Sequence, residues 1–136
     1  MKIRYIILAA LCLTLSGCGS KSPDLNPEDV LKSFHSTLAA GDFEGAEKLC
    51  KPSMHGYIND YKDALEKQRA MNKGAADIAT EALSKAEVII SDIEKKKDLR
   101  MISYTIEDGY GNRKDKTAVM KEAEGEWKVK EIKDRQ

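Results

Sequence analysis

Cysteine, histidine and tryptophan are scarce in this chain: three, two and one in 136 residues. His35 and His55 stand twenty residues apart, with no Cys-x-x-Cys or His-x-x-x-His spacing, so nothing argues for a metal or other bound cofactor. Charge of one sign is also missing. Lys and Arg number 23 and Asp and Glu 23, whereas a nucleic-acid-binding domain shows a strongly basic face. Nor does a phosphate loop occur, since GYG at 109–111 sits in a turn between strand patterns and opens no helix. Repeats and low-complexity segments are absent. The longest apolar run, Tyr5 to Leu15, is about eleven residues, well under the ~20 that span a bilayer as a helix.

That short run is the centre of a secretory signal. Lys2 and Arg4 form its positive start, Tyr5 to Leu15 its apolar part, and small residues precede a cleavage point, so residues 1–17 stand apart from the fold. Leu15, Ser16, Gly17 and Cys18 resemble the lipobox of bacterial lipoproteins. The resemblance implies a thioether-linked diacylglycerol on Cys18, cleavage just before it, and acylation of the new amino terminus. Two or more chains give stable membrane attachment, at about 0.8 kcal/mol per buried CH₂. The implied address is the bacterial cell envelope. Gly19 lacks the aspartate that marks inner-membrane retention in enterobacterial lipoproteins, which favours the periplasmic face of the outer membrane where the source has two membranes.

Cysteine arithmetic follows. Cys12 leaves with the signal, Cys18 carries lipid, and Cys50 alone cannot close an intramolecular disulfide. Cys50, in AEKLCKPS at a helix end, reads as a small buried hydrophobe. Without Lys2 and Arg4, the 23 basic side chains become 21 against 23 acids, a formal charge of −2. KKK at 95–97 and RKDK at 113–116 read as solvated turn and edge charges that discourage edge-to-edge pairing. About 119 residues remain, enough for one domain.

Residues 18–26 are the lipidated cysteine and a polar tether; 27–133 carry the fold. Asn26 can cap a helix with Pro27 first and Glu28 and Asp29 in its first turn. Leu31, Phe34, His35 and Leu38 then make one stripe at i, i+3, i+4, i+7. Gly41 ends that helix, and Asp42 can cap a short second one with Phe43, Ala46 and Leu49 on a face. Met54, Tyr57, Ile58, Tyr61 and Leu65 mark a third, to about Met71. Residues 72–85 can continue as helix, with Ala75, Ile78, Ala79 and Ala82 or Leu83 as its face, or lie as loop. After Lys85 the period falls to two. Strands are expected at 86–94, 99–107, 114–123 and 127–132, with a turn at DGYGN and a tight turn at EGE. In the first, strict alternation puts Val88, Ile90 and Asp92 on one side. Helices followed by antiparallel strands predict an α+β domain, its helices covering one face of a curved four-stranded sheet.

The helix-Gly-Asp-helix corner AAGDFEGAEKL and the closing strand GEWKVKEI resemble small bacterial lipoproteins with a nuclear-transport-factor-2-like (cystatin-like) domain of unknown function. The resemblance covers roughly residues 27–133. It implies a cone of helices on a bent sheet with a pocket at the open end, and a relationship to isomerases, cyclases and dehydratases that transfer protons in that pocket. Fold does not carry function across, so the residues decide.

His35, on the inward stripe, is the candidate acid-base group; a carboxylate partner in a deep pocket would mark it as catalytic. Tyr57, Tyr61 and Tyr104 could bring hydroxyls to the pocket, and Trp127 could either close the core or offer a stacking platform. His55, Asp60 and Asp63 lie off the inward face, and Asp92 is the one acid with apolar strand neighbours. With no inward Asp/His pair, the expected function is a membrane-held, non-catalytic module that binds a small apolar ligand or an envelope protein. The alternative is a small cone-fold enzyme of isomerase, dehydratase or hydrolase type using His35.

Overall fold

The structure, a computed structural model, describes residues 26–135; the expected signal, Cys18 and the tether up to residue 25 lie outside the described residues. Helix α1 spans Pro27–Ala39, and Asn26 caps it as its sequence requires, the side-chain oxygen accepting from the Asp29 N–H at 2.8 Å. Its apolar stripe buries Val30, Leu31, Phe34 and Leu38. Gly41, at φ +81, makes the left-handed exit, and Asp42 caps α2 (Phe43–Lys48) through Gly45 N–H. A Cβ at Gly45 would run into the Asp42 carboxylate, so cap and glycine belong together.

A 3₁₀ turn at Pro52–Met54 leads into α3 (His55–Met71). Asn72 then ends α3 and caps α4 (Lys73–Ser84), accepting from Ala75 N–H at 3.0 Å, so the open segment 72–85 is helix. The face of α4 differs from the expected one. Ala76 and Ala82 are buried, while Ile78 is 55% exposed, because α4 packs on α3 and α1 through its smallest side chains.

Strands β1 (Glu87–Lys96), β2 (Leu99–Glu107), β3 (Arg113–Ala123) and β4 (Glu126–Asp134) form an antiparallel meander in sequence order, which makes this the expected α+β domain. Helices cover one face. The core runs from α1 and α3 to Ile102, Tyr104, Ala118, Met120 and Val129, all fully buried. Bulges between Ile90 and Asp92 and between Val119 and Met120 with their partners interrupt the outer pairs, and such insertions bend and twist a sheet.

The first bulge overturns the expected alternation in β1. Ile90 pairs with Tyr104 and Ile93 with Ile102, both inward, because Ser91 is the extra residue and shifts the parity. Asp92 is therefore exposed, not a neighbour of Val88 and Ile90 inside. The Ser91 hydroxyl holds the bulge by donating to the Ser103 carbonyl at 3.0 Å. At the other edge, Lys51 N–H donates to the Val129 carbonyl and Val129 N–H to the Leu49 carbonyl, so residues 49–51 cover β4.

Candidate functional site

Parity along β3 places an unexpected group inside. Met120 and Ala118 face the core, and stepping back by two reaches Lys116, then Lys114. Lys116 lies opposite Tyr104 on β2 and Asp134 on β4. Its side chain is 12% exposed, so the reading of residues 113–116 as solvated charges fails for this lysine, which stands on a central strand. Its ammonium pairs with the Asp134 carboxylate at 2.6 Å.

A cavity of about 260 Å³ opens at this end of the sheet. Helix α1 supplies His35, Leu38 and Ala39 at the spacing of one face; α3 adds Tyr57 and Tyr61 one turn apart; Leu83 comes from α4. The sheet adds Ile106, Lys114 and Lys116, and the turn after β2 adds Asp108 and Asn112. That turn is tightly self-bonded. Asp108 accepts from the N–H groups of Tyr110 and Asn112 on one oxygen and from the Asn112 side chain on the other, which holds its carboxyl below the usual range. Gly109 N–H donates to the Ala82 carbonyl at 3.0 Å, fastening the turn to the end of α4.

His35 and Tyr104 meet across 69 residues, imidazole Nε2 to phenol oxygen at 2.8 Å. Burial, with the Lys116 charge adding to it, pushes the imidazole pKa down to about 3. The ring is therefore neutral at ordinary pH, and its partner is a phenol where a catalytic pair would place a carboxylate. Burial raises Tyr104 further still, with Tyr57 and Asp134 nearby acting the same way. Tyr57 is also raised by burial, and Lys116 opposes that rise. Tyr61 is raised by burial and then by Tyr57.

Of the residues expected at the pocket, His35, Tyr57 and Tyr61 line it. Tyr104 is fully buried and reaches the cavity only by its hydrogen bond to His35. Trp127 lies elsewhere. It pairs with Glu122 at the far end of β4, half-buried against the core, with the Arg100 guanidinium 4.8 Å above its ring. His55 is exposed, as expected. Cys50 is buried and its thiol is pushed up to about 11 by burial and Glu47, so it is a poor nucleophile. Among the described residues, no three His, Cys, Asp or Glu side chains gather as metal ligands.

No family model matches this sequence. No curated protein matches it either. The chain is similar to a solved structure described as an NTF2-like protein of unknown function from Cytophaga hutchinsonii. That similarity is 12% identity and a TM-score of 0.43, over 82% of this chain and 92% of that one.

Proposed function

We propose that this chain is a membrane-anchored bacterial envelope lipoprotein whose α+β domain holds a small ligand in the His35–Tyr57–Lys116 cavity without transforming it. The observation that carries the non-catalytic half is the His35–Tyr104 bond. A general base works best with a pKa near the operating pH; an imidazole at about 3 is too weak a base, and already too deprotonated to act as an acid, near neutrality. The phenols are pushed away from neutrality in the other direction. What is left is a concave site with apolar walls and a few convergent polar groups, the usual make-up of a binding pocket. The anchoring half draws on Leu15-Ser16-Gly17-Cys18 and the signal before it.

The test is expression of the full chain and of Cys18→Ala in a bacterial host fed an alkyne-tagged fatty acid. The natural chain should take up label and sediment with membranes; the variant should lose the label and at least tenfold of its membrane fraction. Equal labelling of both would remove the anchoring reading.

A further inference from the structure

A lysine on the inward side of a central strand needs a reason. The side chain could have left the core by snorkelling, yet Lys116 stays 12% exposed beside the phenols and the imidazole. Its ion partner does not account for this. Asp134 is the last residue of edge strand β4 and 77% exposed, so water already solvates that carboxylate and can replace the lysine. One step nearer the mouth, Lys114 also lines the cavity and makes no ion pair among the described residues. The acid at the mouth, Asp108, spends both oxygens on its own turn. Around the rest of the wall stand Leu38, Leu83 and Ile106.

Taking the cavity to be a binding site, as proposed above, we infer that its ligand is an organic monocarboxylate. The carboxylate meets the Lys116 ammonium and the Tyr57 hydroxyl, displacing Asp134 into water, and the apolar body lies against Leu38, Leu83 and Ile106. Lys116 is the largely buried ammonium of this wall, while Lys114 is exposed at the mouth and keeps its water, so the site neutralises one negative charge where a phosphate head brings close to two. Neutral ligands would leave Lys116 as it is and gain only the apolar walls. The entrance continues into a groove between α4 and the DGYGN turn, lined by Ile78, Ala79 and Tyr110, which gives a longer chain a path out.

The experiment titrates octanoate and octanamide, which share a body and differ in charge, into the full chain held in phosphatidylcholine vesicles, with heats from protein-free vesicles subtracted. Octanoate should bind at least tenfold more tightly than octanamide. Lys116→Met should abolish that preference, its far-ultraviolet circular dichroism matching that of the natural chain to show that it is folded; Lys116→Arg should keep it. Equal affinity for both probes, or a preference that survives Lys116→Met, overturns the carboxylate assignment and leaves the binding reading standing. Absence of binding by either probe at millimolar concentration overturns both.

Discussion

His35 shows how much of a residue's chemistry is set by neighbours distant in sequence. Its place on the α1 stripe was legible from i, i+3, i+4 spacing; its phenol partner 69 residues away was not, because the β2 register decides which tyrosine arrives. A folded-state pKa near 3 against about 6.5 in the unfolded chain means that, between those values, the unfolded chain holds a proton the native one lacks. The stabilisation is fully present above about pH 6.5 and is lost as pH falls toward 3, by at most about 1.4 kcal/mol per pH unit. Partial access of the ring to cavity water keeps the total below that ceiling. In His35→Gln the titration is gone. The stability gap between natural chain and variant in urea should therefore narrow from pH 7 to pH 4, and parallel curves would rule this out. Lys116 was misread for a different reason. Four charges in a row look solvated, and the local sequence does not say whether a strand is central; counting back by two from Met120 and Ala118 was the signal that could have found it.

Among the elements, the first three helices were legible because caps and stripes are local, with Asn26 and Asp42 each capping the helix that follows; 72–85 stayed open because the residues α4 buries, Ala76 and Ala82, give little apolar contrast. The strands were legible in number and order; the facing of β1 was not. VIISDIE offers two apolar alternations, and only pairing with β2 chooses the bulged one. Deleting Ser91 removes the extra residue, so Ile90 and Ile93 still face inward and Asp92 outward. This deletion should fold, with a loss of about 1–2 kcal/mol from the straightened strand. Deleting Met101, in the regular part of β2, inverts the remaining strand and should leave no cooperative transition. Denaturant melts of the two deletions make the comparison; unfolding by both would contradict the bulge. Trp127 belongs to this scale too, since a lone aromatic on a closing strand says nothing of which end of the sheet it occupies.

For the whole molecule, the α+β order and the single core were legible from the change of period at residue 85. The helix side of the cavity was legible through His35, Tyr57 and Tyr61, but its sheet and turn side was not, because Lys114, Lys116, Asp108 and Asn112 meet the helices only in three dimensions. The β4 edge is covered at Val129 by residues 49–51, and β1 carries charges at its 94–96 end, both of which discourage edge-to-edge pairing. Eight ion pairs dot the described surface, and most are solvated on both sides, so they add little to stability.

The bond from Gly109 to Ala82 makes one amide proton a clock on the cavity mouth. Its exchange with solvent deuterons requires the turn after β2 to come away from α4, the same separation that would spill the contents of the cavity. Where release needs that opening, octanoate at a hundred times its dissociation constant should slow Gly109 exchange about a hundredfold. The Ser91 amide, at the opposite edge of the sheet from β4 and outside the cavity wall, should keep its rate. A Gly109 signal indifferent to octanoate would mean that molecules enter and leave without parting the turn from the helix, through a standing doorway.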